Sequence, residues 1–513
     1  MSDETIGRCF GEATPTSVGF ISKKMPTVGE FVILEYEGKK ILGMIESLMR
    51  GSTSIGEDIY DPAIIDKIKQ IEGDDYYITG NIKILGDVRD TSNLEIPRVP
   101  PLPGTIVKRA SPEILKEVFG ESKQKNRDDM RDRCIRIGHI ITQPEVPVFV
   151  NVCKMVTKHL AILSITGGGK SNTVAVIIDG LLKYNSCIVL FDIHSEYSEV
   201  EFGEGRVNRI PAKINPIYLG FSELSNLANI GSKGAYVQEE YLKKAWDRVD
   251  RTRTNYLQEL RGRLEDYLED STVKDRESIF RAVNKIRHME KRYDSVLDTN
   301  APDIISSIKV GCVNIIDLGA LDERAIDVIV SHTLQKILSE RKRYVKSVRK
   351  GNGEGLQFPV FTILEEAHLL APRDRDTDSK YQITRIAKEG RKFGVGLCLV
   401  SQRPKSLDPN SLSQTNNKII LRLVEPSDLN YVQEASEQLS GDLKSQLPSL
   451  GVGEAVILGL MTKIPVMVKI DEFKGKISGS DPDVVKEWNE AYEAQRKDLD
   501  MEKENLESIQ GGW

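Results

Sequence analysis

The sequence predicts an α/β protein: a parallel sheet covered by helices on both faces, preceded by a small β-barrel and interrupted by a helical segment. Three observations predict it. Strand and turn signals crowd the first hundred residues. Continuous apolar runs alternate with helical patterns from about residue 145, and a charge-dense stretch over 221–300 carries apolar residues at helical spacing. Each observation places a different part of the fold.

In the N-terminal part, residues 18–21, 30–36, 40–45 and 76–85 are short apolar pieces separated by Gly, Pro and Asp turns. Glu37-Gly38-Lys39 reads as a tight hairpin turn between two of them. So much strand in so few residues is most economically closed into a barrel, because closure removes exposed edges. A barrel is therefore expected over 1–95. Pro97, Pro100, Pro101 and Pro103 oppose a continuing helix or central strand, so 96–144 reads as a linker and extension to the core.

Residues 160–163 form a short apolar run, followed by glycines and then by Thr173/Val174, Ile177/Ile178 and Leu181/Leu182 at helical spacing. Residues 187–191, 313–316, 360–364 and 395–400 are further apolar runs of strand length. Such runs mark strands buried on both faces. The core is expected in two parts, 145–220 and 301–475, around the insertion at 221–300. Within the insertion, Leu257, Leu260, Leu264 and Leu268 recur at helical spacing, as do Ile279/Phe280, Val283, Ile286 and Tyr293. Residues 476–513 are highly charged, with Trp488 and Tyr492 four apart, and read as a helical tail or a solvated one.

Composition bounds the function. The chain of 513 residues is 39% hydrophobic, with 71 basic against 77 acidic residues and a formal charge of -6. That suffices for two or three domains with real cores. It argues against a uniformly basic surface, though basic groups confined to an inner wall remain compatible with nucleic acid. The six cysteines form no CxxC or Cys/His cluster, which points to a reduced, cytosolic protein without structural zinc. The first residues lack a signal-peptide pattern, and no apolar stretch is long enough to span a membrane.

The chemistry concentrates at strand ends. Thr166-Gly167-Gly168-Gly169-Lys170-Ser171 follows an apolar strand and opens a helix. Successive backbone N–H groups in such a loop cradle phosphate oxygens, and the helix adds its positive end. Lys170 would reach the β- and γ-phosphates, and the Ser171 hydroxyl would coordinate magnesium. Ser164 stands where the strict pattern wants its first glycine. Glu365 and Glu366 end another apolar strand; Glu365 suits the metal side and Glu366 the base that activates water, against the alternative of a solvated strand end. Asp192 and Glu196 end a third strand and could aid magnesium or water, while a capping role for Asp192 or Ser195 is nearly as strong a reading. Gln402 could sense the γ-phosphate. Arg391 could serve a neighbouring subunit's site or be an ordinary basic helix end. Arg341-Lys342-Arg343, Lys346, Arg349 and Lys350 form the densest basic run, a DNA candidate or a solvated helix end.

Taken together, these motifs resemble the archaeal HerA family of hexameric DNA-translocating ATPases, relatives of the FtsK motors. The resemblance runs nearly the whole chain. It is carried by Gly38-Lys39-Lys40-Ile41-Leu42-Gly43 in the barrel, by the segment from Lys158 through Thr166–Thr173, and by Asp192-Ile193-His194-Ser195-Glu196-Tyr197. Glu365-Glu366-Ala367-His368, Gly390-Arg391-Lys392-Phe393-Gly394, Ser401-Gln402-Arg403-Pro404 and Leu447-Pro448-Ser449-Leu450 follow in the family's order. The resemblance implies a RecA-like P-loop ATPase core that uses ATP and Mg2+. Asn172 would belong to its phosphate loop, Glu366 would be the catalytic carboxylate, Arg391 the finger donated to a neighbour, and Gln402 the γ-phosphate sensor. It further implies a hexameric ring around double-stranded DNA, acting with a NurA-type nuclease in end resection for recombinational repair. Lys158 is a possible second basic group near phosphate. The rival reading is a nucleotide-gated protein-assembly or secretion-type ATPase that does not act on DNA.

Overall fold

The computed structural model describes residues 4–56, 58–72, 76–91, 94–120, 133–230, 235–250, 255–270, 272–475, 484–493 and 495–496. Its N-terminal strands are β1 (Thr5–Ala13), β2 (Ser17–Ser22), β3 (Phe31–Tyr36), β4 (Lys39–Gly51), β5 (Tyr77–Asp87) and β6 (Ile106–Arg109). They close into a barrel in the order β1-β2-β5-β4-β3-β6. The β3–β4 hairpin turns through Glu37 and Gly38, at φ 51° and 65°, with Tyr36 paired to Lys39. Two positive φ values in a two-residue loop are what the right-handed strand twist favours.

The closing strand lies outside the expected 1–95. β6 pairs with both β1 and β3. The proline-rich stretch before it carries the chain back to the barrel, and Gly104 and Thr105 already bond to Cys9. A four-residue strand with Lys108 and Arg109 in it offers too little apolar signal to stand out. Likewise β7 (Cys134–Ile140) and β8 (Gln143–Asn151) belong to the core sheet and begin before residue 145.

The core adds β9 (Leu160–Leu163), β10 (Ile188–Asp192), β11 (Val207–Ile210), β12 (Val313–Asp317), β13 (Val360–Leu364), β14 (Val395–Ser401), β15 (Asn417–Ile420), β16 (Glu454–Leu458) and β17 (Val466–Ile470). With β7 and β8 they form an 11-stranded sheet in the order β11-β12-β10-β13-β14-β9-β15-β16-β17-β7-β8. Strands β11 through β15 in that order are mutually parallel, and the remainder is antiparallel. The central parallel strands β9, β10, β13 and β14 are buried throughout, as strands covered on both faces are.

Barrel and core share packing. Alternate side chains of β3 and β4 face opposite ways. Val32, Leu34, Ile41 and Ile45 fill the barrel interior, while Phe31, Ile33, Leu42 and Met44 join the main core. The helical insertion leaves between the neighbouring strands β11 and β12 as helices Phe221–Leu227, Tyr236–Trp246, Tyr256–Glu269 and Arg276–Arg292. Leu257, Leu260, Leu264, Ile279, Val283 and Ile286 are buried on the expected faces, whereas Phe280 is exposed.

Two further expectations meet the structure. Residues 484–493 are helical with Trp488 and Tyr492 exposed, while 497–513 of the expected tail lie outside the described residues. The basic run sits at the end of helix Glu323–Val348, where Arg341 is buried, with Nε donating to the Phe393 carbonyl and Nη1 to that of Leu356. Lys342 pairs with Glu389 and Arg343 with Glu354. Arg341 is thus committed within the protein, Lys342 is largely covered by its partner, and Arg343 stays mostly exposed. Among the described residues no helix is long and apolar enough to cross a membrane.

Candidate nucleotide-binding site

The ligand crevice of a parallel sheet lies beyond the strand C-termini, and there the candidate residues gather. After β9 the chain passes through buried Ser164, whose N–H donates to Ser401 O at 3.2 Å and whose hydroxyl donates to Ile165 O at 2.8 Å. Gly169, at φ 100°, then turns the chain into helix Lys170–Leu182. Only glycine adopts such a φ without strain. A Cβ on Gly168 would meet Ser164 Oγ at 2.2 Å, so the serine in the unusual position and the glycine beside it are matched in size. The β16-side loop covers this turn, with Gly453 N–H donating to Gly168 O at 3.0 Å.

Lys170 faces the carboxylates that end β13. It bonds to Glu366 Oε1 and lies 3.5 Å from Glu365 Oε2. Burial works against its ammonium, yet the two glutamates hold its pKa above the ordinary lysine value. Glu365 is buried and accepts a 2.8 Å hydrogen bond from Tyr197 Oη. Burial outweighs Lys170 and Tyr197 there and pushes its pKa up to about 7. Glu366 differs: burial raises it, but His368 and Lys170 outweigh burial and bring it to about 2. Glu366 also sits at φ 43°, ψ 46°, the left-handed region that a non-glycine residue adopts only at a cost. Its Oε2 is buried without a hydrogen-bond partner, although His368 Nδ1 lies 3.2 Å away.

The other candidates divide. Ser171 Oγ bonds to Glu196, and Thr166 Oγ1 donates to Gln402 Oε1 at 2.5 Å, joining the glycine loop to the end of β14. Asp192 takes the capping role: its two oxygens accept the N–H groups of Glu196 and Tyr197 at 3.1 and 2.8 Å, which fixes the turn that presents Glu196. Asn172 does not face the crevice as expected. Both ends of its amide hold the C-terminal segment, through Asp471 O and Phe473 N–H, because the first helical turn rotates it away from Lys170 and Ser171. Lys158 precedes β9 and lies at the end of the sheet opposite the loop. Arg391 also lies at that opposite end. It is exposed, in the short turn Gly390–Phe393 before β14, and β14 runs parallel to β9 with Ser401 beside Leu163. Seven strand residues at about 3.3 Å each separate it from the crevice, roughly 20 Å.

Two further polar residues line the carboxylates, and one backbone carbonyl braces the loop. Tyr197, His368 and Arg422 each sit within or just after a strand-end segment. Tyr197 and His368 stand next to the strand-end carboxylates in sequence, but that they are buried against Glu365 and Glu366 depends on the folded arrangement. Arg422 follows β15, its carbonyl accepting from Ile165 N–H at 3.0 Å and its Nε donating to Pro448 O at 3.1 Å.

A glycine loop feeding Lys170 and Ser171 into a helix, with a carboxylate pair on β13 and β14 between that strand and β9, defines a RecA-like P-loop nucleotide hydrolase fold. Family models match residues 6–90 (HAS barrel domain), 135–337 (helicase HerA, central domain) and 328–496 (helicase HerA-like C-terminal). The probable helicase MJ1565 of Methanocaldococcus jannaschii is 40% identical over 506 residues, covering 96% of this chain and 95% of that protein. The DNA double-strand break repair helicase HerA of Sulfolobus acidocaldarius is 39% identical, covering 95% and 97%. Its counterpart from Saccharolobus solfataricus is 38% identical, covering 96% and 97%. The chain belongs to the HerA helicase family.

Proposed function

We propose that this protein is an ATP-driven translocase and helicase of double-stranded DNA that works in double-strand break repair. The observation that carries the reading is the Lys170–Glu365–Glu366 cluster at the strand ends, in a chain collinear with HerA repair helicases over nearly its full length. Lys170 and the loop N–H groups hold the β- and γ-phosphates, so Lys170 exchanges its glutamate partners for phosphate oxygens. Glu366 then takes a proton from water as the water oxygen bonds to the γ-phosphorus and the bond to the bridging oxygen breaks, with ADP leaving. Mg2+ would be held by Ser171 with Glu365 or Glu196. Such a set of one hydroxyl and carboxylates suits an ion that keeps several waters and takes its other ligands from phosphates.

Arg391 lies too far from its own crevice to serve it, which favours action on a neighbour's nucleotide and hence a ring, in our reading a hexamer. DNA would be gripped by its phosphates, insensitive to sequence and weakened by salt. A NurA-type nuclease partner and a cytoplasmic setting belong to the same proposal. The test is ATP turnover with and without linear duplex DNA at low salt. Stimulation by DNA is expected, and an intact oligomer whose turnover ignores DNA would favour a protein-moving ATPase instead.

A further inference from the structure

His368 lies between two parts of the site that the proposed hydrolysis uses separately. It is buried, and its Nδ1 stands 3.2 Å from Glu366 Oε2 and 3.2 Å from Ser401 Oγ. Ser401 is fully buried, ends β14, and its Oγ also accepts the Arg403 N–H at 3.1 Å. The next residue is Gln402, which holds Thr166 of the glycine loop. One ring nitrogen thus faces two oxygens and can serve only one of them well. With a proton on Nδ1 it donates to the carboxylate. Without one it accepts the Ser401 hydroxyl, which the Arg403 N–H leaves free to point that way. Among the described residues Glu366 Oε2 has no hydrogen-bond partner, so this choice decides whether that oxygen is held.

We propose that His368 is a positioning residue that couples the end of β14 to the catalytic glutamate, setting the aim of Glu366 according to what Gln402 holds. The inference rests on the hydrolase reading above. Once Lys170 turns to phosphate, the His368 ring, 3.2 Å from Glu366 Oε2, is placed to keep the carboxylate's rotamer.

The test is steady-state ATP hydrolysis by the full-length protein with DNA, for wild type, His368→Ala, His368→Asn, Ser401→Ala and the double variant. His368→Ala is expected to lower kcat about 10- to 100-fold with KM within about threefold, because base positioning and not substrate binding is lost. His368→Asn, which keeps a polar atom near Nδ1, should recover part of kcat. The double variant should be no worse than His368→Ala, since both remove one linkage. Binding of a non-hydrolysable ATP analogue and solution mass confirm that each variant is folded and assembled. Unchanged kcat in His368→Ala, a matching rise in KM with lost analogue binding, or additive losses in the double variant would each overturn the proposal. A wild type without turnover would instead remove the hydrolase reading itself, so the two failures are distinct.

Discussion

Glu365 and Glu366 are adjacent in sequence and opposite in electrostatics. Glu366 is held well below the ordinary carboxylate range by His368 and Lys170, whereas Glu365 is raised to about 7 by burial. A carboxylate whose pKa rises on folding binds its proton more tightly in the folded state, so it costs stability increasingly as pH climbs from its unfolded value, near 4.5, to about 7. Glu365→Gln should therefore raise the Tm of the nucleotide-free protein at pH 8, and the gain should shrink as pH falls below about 7 toward 4.5. Thermal melts at several pH values check this; a gain independent of pH would contradict it. The match between Ser164 and Gly168 gives a second test. Gly168→Ala places a methyl 2.2 Å from Ser164 Oγ and should weaken nucleotide binding at least about tenfold, whereas Ser164→Ala/Gly168→Ala removes the clash and should recover much of it. Equal loss in both variants, read by analogue titration, would show that the hydroxyl is not the obstacle.

At the scale of elements, helix Glu323–Val348 fastens the turn that carries Arg391. Arg341 reaches from it to the Phe393 and Leu356 carbonyls with charge-assisted hydrogen bonds. Arg341→Ala leaves those carbonyls short of partners and should cost about 2–4 kcal/mol in denaturant unfolding, and it should lower ATP turnover as Arg391 loses its seat. Turnover at the wild-type rate would mean the turn holds its shape unaided. The same helix shows why some elements were easy to read and others not. Strands β9, β10, β12, β13 and β14 announce themselves as apolar runs because they are buried on both faces. The strand-end motifs were equally plain, since charge directly after such a run needs a reason. β6 and β11, four residues each and partly polar, exist through their partners rather than their own pattern. Arg341 looked like surface charge because nothing local reveals that its carbonyl acceptors come from 15 and 52 residues away. The capping role of Asp192 was legible as one of two readings because its hydrogen-bond partners are local, at Glu196 and Tyr197, whereas Asn172 turns from the crevice toward Asp471 and Phe473, about 300 residues away, for which no local signal exists.

At the scale of the whole molecule, the opposite placement of Lys170 and Arg391 predicts shared sites. Lys170→Ala and Arg391→Ala proteins should each be nearly inactive alone, yet mixing and reassembling them should restore some hydrolysis at interfaces that join an intact lysine to an intact arginine. Silence in mixtures of correct mass would exclude action between subunits. The late closure of the barrel has a mechanical consequence. β6 leads directly into Ala110, whose carbonyl accepts from Gln143 Nε2 at 3.1 Å, and one face of β3 and β4 is buried in the core. Ser440 bonds to Glu46 across the same seam, and Ser47 to Asp442 at 3.2 Å. The barrel is therefore welded on as a handle rather than hung on a tether. A displacement of the core would pass straight into it, and anything gripping the barrel would move with the core without slack.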